Sequence, residues 1–474
     1  MDEGEALVSR EHLREGEAYK KIVYILLQSL TQKLMTESNG GETLKNFAKA
    51  LFLLCVIVVL GACGNKEETK TGQDGKASAD SGRVEITYWY AFGDKIGENN
   101  ENLVKMFNDS QDEILVKAEF QGNYADLHSK TQAAFAAKNA PEVTLNEIAS
   151  IGVFAKSGMT QDLTPFVEKD NVDMEDFNPG LMGNSYVDGK LYGLPYLRST
   201  PILYMNVDML EKAGLDPAGP KNWGEFEEYA RALTVEGESV GMSLPVDIWF
   251  YEAFVAAGGG KMLADNESEV LFNGQAGVEA LEFWKKLSQE GIVKIPGGEE
   301  ASAQASQDFA NGRSAMIFSS TAGLSNFLKI AEENKFNINT AFMPANKVSG
   351  VPTGGANLVM TAGLTPEKQE AAWEFIKWMT SKEQTIYASK YTGYLPSRLS
   401  ASESSEMQEL YKEIPQYKVA VDQLQYGHPR PMAEAYPEIT TILIDEMTRT
   451  LLDKNLPPKD ALDQAAKLGN QLLN

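Results

Sequence analysis

Cysteine and histidine are almost missing: 474 residues contain two of the first and three of the second. Cys55 and Cys63 both lie near the N-terminus, so the long remainder has no thiol. That excludes a disulfide framework, a thiolate nucleophile and a cysteine zinc site over most of the chain. His12, His128 and His428 are too scattered to nominate a metal centre, and no HExxH, GxSxG, phosphate-loop or calcium-loop pattern occurs. Neither a cofactor nor a metal is expected, and no residue stands out as catalytic. Positive charge is also short, with 43 Lys and Arg against 67 Asp and Glu, a net of −24. A nucleic-acid partner needs basic patches and is disfavoured, as is adsorption to anionic lipid. A small anion is still admissible, because one local Arg or a helix N-terminus suffices to bind it.

No apolar run is long enough for a bilayer. The run ALFLLCVIVVL at 50–60 is eleven residues, about 16 Å of helix at 1.5 Å per residue against a core of roughly 30 Å. Lys45 and Lys49 precede it and the small residues of GAC at 61–63 follow, the layout of a secretory signal. The string LGAC resembles the lipobox of bacterial lipoproteins, which implies cleavage before Cys63 and acylation of that residue. The expected organisation is a doubtful extension at 1–34, with translation starting at Met35, then a signal peptide at 35–62. The acylated Cys63 and a flexible tether through 83 come next, since GNKEETKTGQDGKASADSGR is too polar to bury surface. Removing residues 1–62 takes away seven Lys and Arg and eight Asp and Glu, and leaves 36 against 59, a net of −23.

About 390 residues follow the tether, enough for two domains. Strand and helix patterns alternate along them. VEITYWY at 84–90, ILVKAEF at 114–120 and PEVTLNE at 141–147 read as strands, separated by helices at 100–110 and 128–139. This β-α-β-α-β order predicts an α/β fold with a mostly parallel sheet. Further strands are expected at 199–206, 314–320 and 355–363, and helices at 222–234, 277–291 and 366–382, with two more at the C-terminus.

Several strings carry a resemblance: QGNY at 121–124, AAFAAKNAPEV at 133–143, RSTPILYMNVDMLEKAGLDP at 198–217 and FANGRSAMIFSSTAGL at 309–324. TGGANLVM at 353–360, KYTGYLPSR at 390–398 and LGNQLL at 468–473 complete the set. In this order they resemble family 1 extracytoplasmic solute-binding proteins of ABC importers, and within it the branch that takes up glycerol phosphates. The resemblance implies a two-lobed, periplasmic-binding-protein-like (type II) fold with hinge-crossing segments. Lobe 1 would be 84–198 plus 356–404, and lobe 2 would be 199–355 plus 405–474.

The resemblance also implies a ligand site at Tyr124, Glu147, Ser199, Ser320, Gly355 and Tyr394, with Trp249 as an aromatic wall. Such a set suits a polyol or phosphate: a carboxylate accepts hydroxyl protons, and Ser and backbone N–H groups donate to an oxyanion. Each has a plain structural alternative, in packing for the tyrosines and Trp249, turn formation for the serines, a tight backbone for Gly355 and an ordinary surface acid for Glu147. The branch's phosphate-binding Arg aligns with Thr441, which cannot make a bidentate pair with phosphate. Arg198, Arg398, His428 and Arg430 are the candidate replacements, with Arg198 favoured for its place beside Ser199. The implied partners are a small-molecule ligand (glycerol 3-phosphate, a glycerophosphodiester or a sugar), the transmembrane permease subunits, and the membrane through the lipid anchor. The protein is expected to be a monomer. A lipid-anchored glycan hydrolase working through a carboxylate pair, or an adhesin on the same fold, are the alternatives.

Overall fold

The computed structural model describes residues 82–298 and 300–473. Cys63, the signal at 35–62, the extension at 1–34 and the tether up to residue 81 lie outside the described residues. In chain order the strands are β1 (Val84–Tyr90), β2 (Ile114–Phe120), β3 (Val143–Glu147), β4 (Tyr186–Val187), β5 (Lys190–Leu191), β6 (Leu194–Ser199) and β7 (Pro201–Asn206). They continue with β8 (Val240–Ser243), β9 (Val293–Lys294), β10 (Ser314–Ser320), β11 (Ile338–Ala341), β12 (Val351–Pro352), β13 (Gly354–Met360) and β14 (Gly427–His428).

Two five-stranded sheets form, in the orders β2-β1-β3-β13-β6 and β11-β7-β10-β8-β9. In the first, β1 alternates as its sequence requires: Ile86, Tyr88 and Tyr90 are buried on one face. It pairs in parallel with β2 and β3, but β13 runs antiparallel to both β3 and β6. Four of the five strands therefore run the same way, as expected, and β13 alone makes the sheet mixed. The reason lies in the insertion of β13, which arrives from far along the chain and cannot be placed from the local β-α-β order. The second sheet is mixed too, with β7 antiparallel to β10 and β11 while β8 is parallel to β10 and β9.

Each sheet has its own core, so the fold consists of two α/β lobes. One core gathers Tyr88, Leu103, Phe107, Leu145, Leu358 and Trp373; the other gathers Phe226, Phe254, Trp284, Phe318, Leu443 and Leu462. Trp223, Trp284 and Trp373 are buried, and Trp89 and Trp378 pack at the margin of the first core. Helix boundaries follow local chemistry. Asn222 caps the Trp223–Leu233 helix by accepting the Glu225 N–H at 3.0 Å, and Pro366 opens the Pro366–Met379 helix behind the Thr365 cap. The expected helix at 366–382 ends instead at Met379, and a second runs over Lys382–Thr392.

The expected strand at 199–206 is broken at Thr200. Residues Leu194–Ser199 belong to the first sheet and Pro201–Asn206 to the second, so the chain crosses between lobes at one residue. Pro201, with no N–H to donate, begins the new strand. Thr200 is fully buried, and its carbonyl accepts the Thr321 N–H at 3.1 Å while its hydroxyl accepts from Gln423 at 3.1 Å. A second crossing runs from β12 through Thr353 to β13. Arg198 holds the two together: it is fully buried and donates to the Gly354 carbonyl at 3.0 Å, the Thr353 hydroxyl at 3.2 Å and the Leu181 carbonyl.

Candidate functional site

A cavity of 570 Å³ opens where the crossings meet, and Tyr124, Glu147, Ser199, Trp249, Ser320, Gly355 and Tyr394 all line it. Seven residues spread over 270 positions of sequence thus line one cavity. Arg198 does not. Its donors are taken by the crossings beneath the cavity, and burial lowers its pKa to about 10, which leaves it charged at neutral pH as a hinge clamp. Among the other cations named from the sequence, Arg398 binds Asp176 at 3.1 Å and lies over the Phe177 ring. His428 lines a neighbouring cavity of 520 Å³. Arg430 lines both cavities. Thr441 is exposed on the Tyr436–Leu452 helix, bonded to the Pro437 carbonyl at 3.0 Å and away from the cavity wall. Of the four candidates only Arg430 lines this cavity, contributed by the strap after β14 rather than by the following helix.

The strap positions Arg430 exactly between the lobes' carboxylates. Its backbone N–H donates to Asn184 at 3.0 Å, and Asn184 returns a bond to its carbonyl at 2.9 Å. Its guanidinium reaches Glu147, at the end of β3, at 2.9 Å. It also meets both oxygens of Glu252, on the Ile248–Ala257 helix, at 2.8 and 2.9 Å. Glu252 is 2% exposed and accepts the Tyr436 hydroxyl at 2.6 Å. The adjacent carboxylates hold the Arg430 pKa well above its ordinary value against burial, which lowers it. Sequence reasoning missed Glu252, because it sits inside the apolar run IWFYEAF and carries no motif.

The crossing backbone shapes the opposite wall. Gly355 has φ +89°, and a Cβ there would lie 1.9 Å from the Leu197 carbonyl oxygen; only glycine fits. A Cβ on Gly354 would lie 2.4 Å from the Trp249 ring, whose indole N–H donates to the Thr353 carbonyl at 3.1 Å. Trp249 is thus a half-buried plate held against the crossing. Tyr124 and Tyr394 keep their protons, since burial pushes the first well above 10 and the second to about 12. Tyr124 meets Phe92 edge-on at 4.8 Å. Phe92 and Asp94 adopt φ +66° and +47° on the same wall, and strain of this kind in non-glycine residues persists only where the surroundings impose it.

Ser320 brings a neutral hydroxyl to the cavity lining. Ser320 accepts the Ala322 N–H at 3.1 Å, which leaves its own proton free to donate. Ala322, Gly323 and Asn326 follow along the cavity lining as the Leu324–Asn334 helix begins, with the Leu324 N–H given to the Thr321 carbonyl. The remaining cavity cation, Lys95, is engaged by Glu98 at 2.8 Å and the Tyr391 hydroxyl at 3.2 Å. Asp247 caps the Ile248–Ala257 helix at the Trp249 N–H, 2.8 Å away, and burial raises its pKa.

His128 supports this wall from behind. Its ring lies between Tyr124 and Phe154, at 6.2 and 5.2 Å. Its Nε2 accepts the Glu147 backbone N–H at 3.3 Å, which requires that nitrogen to be unprotonated. Burial lowers its pKa from 6.5 to about 4. The unfolded chain therefore takes up this proton first as pH falls. The histidine's contribution is fully present above pH 6.5 and is lost towards pH 4, by up to about 3 kcal/mol. His128→Gln should flatten that part of the stability profile, measured by urea unfolding at a series of pH values. An unchanged slope would mean His128 titrates normally.

The sequence and fold match known proteins. Residues 102–416 match the bacterial extracellular solute-binding proteins. The sn-glycerol-3-phosphate-binding periplasmic protein UgpB of Salmonella paratyphi A is 28% identical over 411 residues, covering 82% of this chain and 92% of its own. That of Pectobacterium atrosepticum is 27% identical over 413 residues, with coverages of 82% and 91%. Among solved structures, UgpB from Mycobacterium tuberculosis in complex with glycerophosphocholine superposes with TM-score 0.74 at 25% identity, covering 83% of this chain and 99% of that one. The GacH receptor of Streptomyces glaucescens shares the fold at TM-score 0.74 and 21% identity, covering 82% and 98%. With two lobes, two crossings and a cleft between them, the chain belongs to the bacterial extracellular solute-binding protein family.

Proposed function

We propose that this protein is the solute-capturing component of an ABC importer, and that its ligand is a glycerophosphodiester bound between the lobes. The lobes are 84–199 with 354–404, and 201–352 with 405–474, the crossings falling at Thr200 and Thr353 rather than at the bounds expected from the sequence. The polyol end sits by Glu147 and Tyr124, and the phosphate end by Ser320 and the start of the Leu324–Asn334 helix. Trp249 and Tyr394 flank the ligand. A lipid on Cys63 holds the monomeric protein at the outer face of the membrane, where a short tether keeps its concentration near the permease high. The protein delivers its ligand unchanged and is not an enzyme.

One observation carries the choice of ligand: both cavity cations are already engaged by protein carboxylates. A phosphomonoester with nearly two charges would need a free guanidinium. A diester has one charge, which neutral donors and a helix N-terminus can satisfy. Of the named relatives, the one solved with glycerophosphocholine supports a diester, whereas those named for glycerol 3-phosphate share the glycerol phosphate part but bind a monoester. A neutral sugar is the second reading, favoured by the Trp249 plate and the carboxylate-rich cleft.

Ser320→Ala and Tyr394→Phe should each weaken glycerophosphocholine binding about 5–150-fold, the loss of one hydrogen bond at about 1–3 kcal/mol, with thermal unfolding nearly unchanged in the absence of ligand; the phenylalanine is needed because Tyr394 is 4% exposed and belongs to the first lobe's core. Calorimetric titration measures this. Unaltered affinity in both variants would remove the site assignment.

A further inference from the structure

We propose that Glu252 is the residue that sets the charge the cleft accepts. The proposal rests on the interlobe ligand site above, and it concerns a group outside the ligand-contacting set. Arg430 is the one guanidinium on the cavity wall among the described residues. It directs three of its five N–H groups at carboxylates: Nε and Nη2 at Glu252, and Nη1 at Glu147. The group Glu147–Arg430–Glu252 therefore carries one net negative charge at the cavity floor, and Asp247 stands nearby on the same wall.

The geometry is rigid on the Glu252 side. This carboxylate is 2% exposed, lies on a helix packed into the second lobe's core, and has a third partner in the fully buried Tyr436 hydroxyl. Moving it away would break its bonds to both Arg430 and Tyr436. Glu147 is the more open partner, on the cavity wall itself. A doubly charged phosphomonoester would thus meet a cation already overcompensated. A diester or a neutral polyol meets no such penalty. A buried carboxylate fixed behind an arginine works here as a charge filter, refusing one class of ligand rather than attracting another.

Glu252→Gln tests this in the full-length protein. Glutamine keeps the shape and one acceptor oxygen for Arg430 but removes the charge, leaving the cluster neutral. Calorimetric titrations with glycerol 3-phosphate and with glycerophosphocholine should show the ratio of affinities moving at least tenfold toward glycerol 3-phosphate. The gain should shrink as salt rises, a dependence that a packing change would not produce. Glu252→Asp, which retains the charge, should keep the wild-type preference. If Glu252→Gln does not fold, Glu147→Gln also neutralises the cluster and should move the same ratio the same way. No movement of the ratio in a folded Gln variant, or an equal movement in Glu252→Asp, overturns the proposal. Wild-type protein that binds neither compound defeats the ligand class proposed above. The filter still stands or falls then on whether Glu252→Gln acquires binding of glycerol 3-phosphate, and its failure to do so would overturn the filter too.

Discussion

Arg430→Ala lowers the free energy of unfolding by about 3–5 kcal/mol, the cost of leaving buried carboxylates without their cation. Glu252 keeps only the Tyr436 hydroxyl, and Glu147 keeps only the Ala149 N–H at 3.0 Å. Because Arg430 joins the end of β3 to a helix of the second lobe, the same change removes a direct tie across the cleft. The loss should be smaller when Arg430→Ala is made in the Glu252→Gln background, since no buried charge is then stranded. Guanidinium unfolding of the two single variants and the double variant gives the coupling directly. Equal losses in both backgrounds would show that Arg430 contributes through packing alone.

Gly355→Ala is expected to be comparably damaging, about 2–5 kcal/mol, from left-handed strain combined with overpacking. The new Cβ would have to displace the Leu197 carbonyl, 1.9 Å away, on the neighbouring strand β6. Leu197 adjoins Arg198, so any shift reaches the clamp between the crossings. Ligand affinity should fall with stability, unlike the Ser320→Ala result, because this glycine shapes the backbone that carries the wall. A variant with wild-type stability would mean the β6–β13 contact is looser than the geometry here.

The parts of the fold written locally were the legible ones. Strands such as Val84–Tyr90 and Ser314–Ser320 announce themselves through β-branched and aromatic residues, and Asn222 announces its helix through a cap. The strand Leu194–Ser199 was not legible: all six residues are buried, Arg198 among them, so the alternation that marks a strand is absent. The break at Thr200 was likewise hidden, since the residues on either side both favour extended backbone. The direction of β13 depends on partners far away in sequence and has no local signal. For the site, the family strings led to seven residues that line one cavity. Charge was where reading failed. Arg198 was favoured for adjacency to Ser199, but successive residues of a strand point to opposite faces, and the arginine turns into the protein. Arg430 lies in a strap, GHPRPM, whose placement depends on Asn184 and Thr353, and alignment through the next helix pointed to the exposed Thr441 instead.

The central claim is that the cleft captures one intact solute bearing at most one negative charge. Native mass spectrometry of the full-length protein tests it most directly, after incubation with glycerol 3-phosphate, glycerophosphocholine and maltotriose in competition. A single 1:1 adduct at the unaltered mass of glycerophosphocholine is expected, with a stabilisation of about 2.7 kcal/mol at one hundred times its dissociation constant. A preferred adduct with glycerol 3-phosphate, or the appearance of a cleaved ligand, would contradict it.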